Sequence, residues 1–320
     1  MGGVAVISNP RSKANRKNPA LVQSLAYVLG EAGPLEQPGD LDGLEQAVRQ
    51  LREREIDVVC VNGGDGTVHK ALSALVKVYA DGATGEALRR VRLPQIAILK
   101  SGTVNTMARN VGLRAPAKEM LAHVVESWHA RRPQRIEERT CVVVNGSSAG
   151  FLFGTGVLYR FMKMYYEGGP PSAAKALRLV AQVVGSAVVG GRLAQGLFSA
   201  DEATVRVDGA LWQHNRFPAI AVGGMNDLGL GFELFHAAKS HPGHIHALGI
   251  MGPPISVVKV LHRIYFGKPT CSPEIIDQVV KELIIEGPAA AGFMMDGDFV
   301  EGGDRLHVEA GPRVPFIVHG

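Results

Sequence analysis

The stretch IDVVCVNGGDGTVH, residues 56–69, decides the fold predicted for this chain. An apolar run of strand length ends in three glycines that surround one carboxylate, Asp65, and apolar side chains then recur at helical spacing. This pattern predicts a strand, a tight glycine turn and a helix that begins at about Gly66 or Thr67. Because glycine lacks a Cβ, such a turn admits positive φ and a close ligand. The first N–H groups of the helix lack intrahelical partners, so the turn is a candidate phosphate site.

Asp65 is an unusual residue for a phosphate site. A carboxylate repels phosphate unless it holds a metal, accepts a proton from a nucleophile or bonds a sugar hydroxyl. The alternative is a plain turn in which Asp65 caps the following helix. The residues of this stretch alone leave both interpretations open.

Strands and helices alternate on both sides of this stretch. The strands are predicted at 4–7, 56–61 and 95–99, and the helices at 19–30, 41–54, after 66, and 116–130. This alternation is typical of a doubly wound α/β domain with a parallel sheet. Polar loops follow all three strands, so they are expected at the carboxyl edge of the sheet, where ligands bind.

The pattern changes near residue 132 to mostly short strands. Asp208-Gly209 and Asp296-Gly297 are typical of hairpin turns, which favours an antiparallel β-sandwich or barrel. The predicted domains are 1–132 and 133–309. The predicted strands are 140–145, 151–157, 203–207, 211–217, 219–223, 244–251, 279–286, 292–295 and 305–309.

Two helices, 173–189 and 255–266, are predicted to interrupt the strands of the second domain. The first is apolar over most of its circumference, so it needs a partner. Docking on the sandwich, a lid over an acyl pocket and contact with a membrane surface are the three possibilities.

Composition narrows the class of protein. The chain has 320 residues, 46% hydrophobic content and a net charge of +4, which suits an anionic ligand without requiring one. Aromatic residues, at 6%, are too sparse for base-stacking platforms, so no nucleic-acid partner is expected. Three separated cysteines give neither a disulfide framework nor a zinc knuckle. With no signal-peptide pattern and no apolar run of spanning length, a cytoplasmic location is expected.

Three weaker motifs were weighed against ordinary structural roles. Gly146–Gly150 matches GxSxG, but a nucleophile elbow needs a helix directly afterwards and the next residues are strand-like, which argues against a serine hydrolase. His241, His244 and His246 are interpreted as surface or core histidines, because no nearby carboxylate or cysteine completes a metal set. Asp296-Gly297-Asp298 is either a simple hairpin turn or a pair of carboxylates that holds Mg²⁺.

Taken together, four segments resemble the diacylglycerol kinase catalytic family, which includes bacterial lipid kinases, sphingosine kinases and ceramide kinases. The segments are 8–12, 63–67, 102–105 with Ala108-Arg109, and 296–298. The resemblance implies an N-terminal Rossmann-like nucleotide-binding α/β domain and a C-terminal antiparallel β-sandwich, as in NAD kinase-like folds, with a cleft between the domains. It also implies that residues 310–320, with a final strand at about 315–318, are the candidate for a return to the first domain.

The resemblance also implies roles for individual residues. ATP is expected against Asn9, Arg11, Ser12, Gly63, Gly64, Gly66, Thr67, Gly102, Thr103 and Asn105. Asp65 and Asp296 are the expected catalytic groups, Asp296 and Asp298 the expected Mg²⁺ ligands, and Glu137 an expected contact of the lipid head group. Two departures from the family pattern are Thr106 and Asp298, which stand where Asp and Glu are usual.

The function that these residues predict is ATP- and Mg²⁺-dependent phosphorylation of a primary hydroxyl on a lipid. The acceptor would be a diacylglycerol-like lipid, a ceramide or a sphingoid base, met by peripheral contact with a membrane. One alternative is a kinase of a soluble acceptor, as NAD kinase is. Another is a non-catalytic lipid-binding regulator whose kinase site has decayed, as Thr106 and Asp298 would suggest.

Overall fold

A computed structural model describes residues 2–101, 106–167, 172–227 and 231–319. Three predicted binding residues, Gly102, Thr103 and Asn105, lie outside the described residues, as does the side chain of Thr106. The chain forms two compact units, Met1–Arg139 with Pro312–Gly320, and Thr140–Gly311. We call them unit 1 and unit 2.

Unit 1 is built on a parallel sheet. Its strands are β1 Val4–Ser8, β2 Leu35–Glu36, β3 Val58–Gly63 and β4 Gln95–Lys100. They lie in the order β2-β1-β3-β4, and each adjacent pair is parallel. Every residue of β1 and β3 is buried. Continuous apolar runs are what a parallel sheet requires when helices cover both of its faces.

Capping residues mark the start of helices in unit 1, as two of these helices show. They are α1 Lys13–Lys17, α2 Pro19–Leu29, α3 Leu41–Glu53, α4 Asp65–Ala80, α5 Gly85–Arg89, α6 Thr106–Asn110 and α7 Ala117–His129. At α3 the Asp40 carboxylate accepts a 2.8 Å hydrogen bond from the Gly43 amide, a standard N-cap. α4 begins at Asp65, slightly earlier than predicted, with Gly64 as its N-cap residue.

Unit 2 is a β-sandwich with attached helices. The strands from its start to the C-terminus are β5 Ile136–Val144, β6 Ser148–Gly150, β7 Leu152–Gly154, β8 Asp201–Glu202, β9 Thr204–Val207, β10 Ala210–Leu211, β11 Arg216–Phe217, β12 Ala219–Gly223, β13 Ile245–Ile250, β14 Ile275–Val280, β15 Glu282–Glu286, β16 Gly292–Met295, β17 Asp298–Glu301 and β18 Arg305–Ile317. One antiparallel sheet has the order β14-β13-β12-β7-β16-β17, and β10-β9-β15-β18 form the other. Buried side chains of both sheets make one core, including Phe153, Phe293, Leu283 and Val308. The predicted fold class, α/β followed by an antiparallel sandwich, is confirmed.

β18 is one continuous strand that serves both units. Its first residues pair antiparallel with β15, and Phe316 near its end pairs in parallel with Ile96 of β4. The sequence pattern predicted a strand at 305–309 and the resemblance a separate one at about 315–318, whereas a single strand runs through Pro312 and Pro315. The units divide at Arg139 rather than near residue 132, where the change of pattern was predicted.

The helices of unit 2 are more numerous than the sequence pattern predicts. They are α8 Val157–Tyr166, α9 Ala173–Val188, α10 Arg192–Leu197 and α11 Pro254–Tyr265. The predicted strand 151–157 ends early because Gly156, with φ 58°, turns the chain into α8. Within the described residues, every helix is too short or too polar to cross a bilayer.

Candidate functional site

Buried amides and a hydroxyl fasten the ends of β1 and β3 together. The Asn62 side-chain amide donates to Ser8 Oγ at 2.9 Å and to Asn15 Oδ1 at 3.2 Å. Asn15 in turn donates to the backbone carbonyl of Asn9 at 2.7 Å. Asn62 is fully buried, and its Oδ1 has no hydrogen-bond partner among the described residues. A buried network of this kind holds the first polar loop rigidly against the glycine turn.

Asn9 links the first polar loop directly to the glycine turn. Its side-chain amide donates to Thr67 Oγ1 at 3.0 Å, while its Oδ1 accepts from the Arg11 amide at 2.9 Å. Ser12 Oγ accepts from the Asn15 amide at 3.2 Å. The structure therefore brings together four residues that were predicted to bind ATP, which are Asn9, Arg11, Ser12 and Thr67.

Steric crowding by Thr67 explains why residue 63 is a glycine. A Cβ on Gly63 would lie 2.3 Å from the Cβ of Thr67, far closer than side chains approach. The neighbouring Gly64 has φ −89°, which any residue can adopt. Gly64 therefore does not use the positive φ that glycine permits, and at Gly63 the requirement is close approach of Thr67.

Asp65 bridges the glycine turn to the helix that follows the third polar loop. It is the first residue of α4, and its Oδ1 accepts a 3.3 Å hydrogen bond from the Met107 amide near the start of α6. A carboxylate is favoured beside the N-termini of two helices, because both ends carry partial positive charge. The simple interpretation, in which Asp65 caps only its own helix, misses this contact.

In unit 2 the predicted Asp296-Gly297 turn is present. Met295 pairs with Asp298 across it, and the φ values of 50° and 94° at its two residues are those of a type I′ hairpin. The Asp296 carboxylate does more than form a turn. Its Oδ1 accepts from the amides of Phe151 and Leu152 at 3.0 and 2.8 Å, which fixes its orientation.

Gly150 leaves room for the Asp296 carboxylate. A Cβ on Gly150 would lie 2.3 Å from Asp296 Oδ2. The last glycine of the GxSxG motif therefore has a packing role toward a residue 146 positions away. Because Ser148 is itself in β6, and β7 rather than a helix comes next, the nucleophile-elbow interpretation is excluded.

The Asp296–Asp298 hairpin offers a donor set that suits Mg²⁺. Both residues are half-buried carboxylates, and such oxygens are the ligands that Mg²⁺ prefers. Asp296 Oδ2 accepts from the Phe151 amide at 3.1 Å, and a carboxylate oxygen has a second lone pair for a cation. The residues present therefore fit the metal that the resemblance implies.

Apolar side chains surround the same hairpin. The Tyr166 hydroxyl and the end of the Met162 side chain lie within 3.6 Å of the Cβ position of Gly297. The rings of Phe299 and Tyr166 meet edge to face with centroids 5.8 Å apart, and both side chains are exposed. An exposed apolar wall beside two carboxylates suits an amphiphilic ligand.

Glu137 lies at the start of β5 and is paired with arginine. Its Oε2 accepts from Arg139 Nη1 at 3.1 Å, and its Oε1 lies 3.8 Å from Arg135 Nη2. Arg139 is buried and Glu137 is half-buried. Its predicted contact with a lipid head group stays a prediction.

The histidine prediction needs a correction. His246 Nε2 lies 2.7 Å from Asp277 Oδ1, and His236 Nε2 lies 3.2 Å from the same oxygen, so a carboxylate does stand beside these rings. No local pattern indicates this contact, because Asp277 is 31 residues further along the chain than His246. The Ala237 amide donates to His246 Nδ1 at 3.4 Å, so Nε2 carries the proton and donates to Asp277. This tautomer favours a structural hydrogen-bonded cluster over a metal site.

Buried thiols take no part in chemistry here. Cys60 and Cys141 are fully buried, and this burial raises the pKa of both thiols well above the usual range. Both therefore stay protonated at neutral pH and are poor nucleophiles.

Comparison with known proteins supports the grouping of these segments. The diacylglycerol kinase catalytic domain matches residues 3–132, which include the first three of the four segments. The predicted resemblance to this family is therefore confirmed, through a match that spans residues 3–132.

Relatives and solved structures agree with this family. The probable lipid kinases YegS of Shigella flexneri and Escherichia coli O157:H7 are each 24% identical over 268 residues, covering 83% of this chain and 79% of theirs. A diacylglycerol kinase structure from Bacillus anthracis str. Sterne has a TM-score of 0.64 at 14% identity, covering 99% of this chain and 97% of that one. A second structure from that organism reaches a TM-score of 0.69 at 16% identity with the same coverage. At these identities the structures establish the fold alone.

Proposed function

We propose that this protein is a lipid kinase, which transfers the γ-phosphoryl group of ATP to a primary hydroxyl of a lipid. The observation that carries the proposal is the joining of the first polar loop, the glycine turn and the start of α6 next to one parallel sheet. The Asn9–Thr67 and Asp65–Met107 hydrogen bonds make that junction, within the span that the kinase family matches. Phosphoryl transfer needs mainly positioning and charge neutralisation, which such a junction supplies.

ATP is proposed to bind unit 1 through its phosphates. The N-terminus of α4 directs amide groups toward the glycine turn, and the hydroxyl groups of Ser12 and Thr67 add donors. Arg11 is exposed in the same loop and brings positive charge. Gly102, Thr103 and Asn105 are included on the strength of the sequence motif.

Asp296 and Asp298 are the residues that would hold Mg²⁺. The ion would neutralise negative charge on the transferred phosphoryl group. The amides of Phe151 and Leu152 fix the Asp296 carboxylate, so the ligand is oriented before any cation arrives. Asp65 and Asp296 remain the two candidates for accepting the hydroxyl proton.

A lipid acceptor is favoured over a soluble one by the surface beside the hairpin. Tyr166 and Phe299 are exposed next to Gly297, where they would contact acyl or sphingoid carbon chains. The paired carboxylate of Glu137 is proposed to meet the polar head group. Such an enzyme would act from the cytoplasm by peripheral contact with the membrane.

A lipid panel with γ-labelled ATP tests the proposal. Purified protein with MgCl₂ is given diacylglycerol, monoacylglycerol, ceramide, a sphingoid base and NAD, and the products are separated by chromatography. Label in one lipid class, abolished by EDTA and restored by excess Mg²⁺, is the expected result. Label in NAD alone would favour the soluble-acceptor alternative, and no label in any arm would favour the decayed-site alternative.

A further inference from the structure

Two helices of unit 2 expose large apolar side chains to solvent. Leu177, Val188 and Val189 belong to α9 and its C-cap, and Tyr265 and Phe266 belong to the end of α11. Their exposed fractions run from 52% to 79%. α9 and α11 contact each other, so we treat these five side chains and the cations of residues 172–200 and 251–273 as one surface, the α9–α11 face.

The fold does not need these five side chains for its core. Under α9, the buried Ala176 and Leu179 pack with Tyr165 of α8. Under α11, Val260 and Ile264 pack into a second core. Leu177 and Val188 are eleven residues apart, which is about three helical turns, so they share one side of α9. The α9–α11 face is therefore an additional apolar surface outside the core.

The two segments that form this face supply charge of one sign. Residues 172–200 and 251–273 contain no Asp or Glu, in a chain with 34 basic and 30 acidic residues overall. Glu233, beside Gly267, is a carboxylate that approaches the end of α11 from another segment. The cations of the two segments are Lys175, Arg178, Arg192, Lys259, Arg263 and Lys268.

This combination indicates the chemistry of the partner. Tyrosine and aliphatic side chains mixed with lysine and arginine suit the interface of an anionic bilayer, where rings enter the head-group layer and cations meet lipid phosphates. The centre of a protein interface is instead depleted of lysine. Tyr265 and Phe266 are in edge-to-face contact at 5.2 Å, and exposed lysines precede and follow them in the sequence at Lys259 and Lys268.

The Asp296–Asp298 hairpin of the same unit is linked to α9 through α8. α9 packs against α8, and Met162 and Tyr166 of α8 lie next to Gly297. Seating α9 on a bilayer would therefore hold this part of unit 2 at the lipid surface. We propose that the α9–α11 face docks the protein on membranes that carry anionic phospholipid. The purpose of this docking rests on the proposed lipid-kinase function, but binding to membranes can be measured without that function.

Vesicle flotation without ATP tests the docking face. Full-length protein is mixed with phosphatidylcholine vesicles, or with vesicles that also contain phosphatidylglycerol, at about 0.1 M and about 1 M salt, since the higher salt screens charge within about 3 Å. We expect binding to phosphatidylglycerol vesicles that falls at high salt. The double variant Tyr265→Ser with Phe266→Ser and the double variant Lys259→Glu with Lys268→Glu should each weaken it at least tenfold.

Matched controls separate the face from general surface effects. Tyr27→Ser removes an exposed aromatic of α2, and Lys118→Glu with Lys281→Glu reverses two exposed charges elsewhere. These variants should bind vesicles within about twofold of wild type. Thermal unfolding and gel filtration of every variant check the fold and the oligomeric state.

Three results would overturn the docking face. They are wild-type protein that floats with neither vesicle, face variants that bind like wild type, and face variants that convert a dimer to a monomer, which would make the face a subunit interface. Assays with detergent-dispersed lipid keep the two proposals apart. Wild-type protein that binds vesicles but phosphorylates no lipid contradicts the function alone, and active protein that binds no vesicle contradicts the docking face alone.

Discussion

At the scale of single residues, Asp65 combines a structural contact with a proposed chemical role. Its Oδ1 holds the Met107 amide, so replacement by alanine would remove both the hydrogen bond and the charge. Asn keeps an acceptor oxygen in the same place and removes the proton-accepting carboxylate. The Asn variant is therefore the informative one.

We expect Asp65→Asn to lower turnover on the lipid substrate at least about a hundredfold, as loss of a general base usually does. The free energy of unfolding should fall by less than about 1 kcal/mol, the size of a helix-dipole contribution. Radiolabel transfer from ATP and urea denaturation measure the two effects. Asp42→Asn, an exposed carboxylate in the first turn of α3, is the control and should leave turnover unchanged. Wild-type turnover in Asp65→Asn would remove this residue from the mechanism.

Gly150 gives a second test at the residue scale. In Gly150→Ala the new Cβ would meet Asp296 Oδ2 at 2.3 Å, so the carboxylate must move away from the amides that hold it. We expect a loss of turnover of at least tenfold, with a higher Mg²⁺ concentration needed for half-maximal activity. Steady-state assays over a Mg²⁺ series measure both quantities.

Gly196→Ala is the matched control for this change. A Cβ on Gly196, within α10, meets nothing within 4 Å, so activity should be unchanged and α10 should gain up to about 1 kcal/mol. An unchanged Mg²⁺ requirement in Gly150→Ala would argue against Asp296 as a metal ligand.

Local patterns predicted the residue types of the site better than their contacts. The glycine turn and the Asp296-Gly297 hairpin were predictable, because a turn depends on residues next to each other. The Asp65–Met107 and Asp296–Phe151 bonds join residues 42 and 145 positions apart, and no local period encodes such pairs. The buried Asn62 was missed although it stands at the end of an apolar strand, where a buried amide is a usable signal.

At the scale of elements, the Asp277 carboxylate joins β14 to other segments of unit 2 by hydrogen bonds. Its Oδ1 meets His246 and His236, and its Oδ2 accepts from the amide and hydroxyl of Thr270, both at 2.9 Å. Burial raises the pKa of Asp277, but the hydrogen bonds from His246 and Thr270 outweigh burial and hold it well below the usual range. Asp277 therefore contributes stability above the unfolded pKa of about 3.9, and this contribution is lost as pH falls through the lower folded value.

We expect Asp277→Ala to lower the free energy of unfolding by about 3 kcal/mol at pH 7, since it removes hydrogen bonds to a charged acceptor and leaves their donors unpaired. The difference from wild type should shrink as pH is lowered below about 4, because the carboxylate of the unfolded chain then takes up a proton while the folded one stays ionised. Urea denaturation at pH 7, 5 and 3.5 measures the trend. Asp304→Ala, an exposed carboxylate before β18, should show no such trend. A difference that grows toward low pH would contradict the sign argued here.

Elements that depend on long-range pairing were the hardest to predict. α8 was missed because residues 151–157 look like a strand until Gly156 reverses the chain. β18 was predicted as two strands, yet its pairing with both β15 and β4 makes it continuous, although proline is rare inside sheets. The strands of unit 1 were predicted well, since buried parallel strands read as unbroken apolar runs.

At the scale of the whole molecule, the chain carries one natural reporter in each unit. Its two tryptophans are Trp128 in α7 of unit 1 and Trp212 in unit 2. Trp128 donates to Asp57 at 2.9 Å, and Trp212 is buried in the sandwich core. Replacing either one with phenylalanine leaves a protein whose fluorescence reports the unfolding of a single unit.

The end of β18 should matter most to unit 1. Phe316 is buried and pairs with Ile96 of β4, so Phe316→Ala should cost about 3–5 kcal/mol by removing core volume. In the Trp212→Phe background, where Trp128 reports, the urea midpoint should fall clearly. In the Trp128→Phe background, where Trp212 reports, it should fall much less. Phe293→Ala, in the core of the sandwich, is the matched control and should reverse the order. Equal shifts at both tryptophans for both variants would mean that the two units unfold as one, because a single cooperative transition moves every probe together.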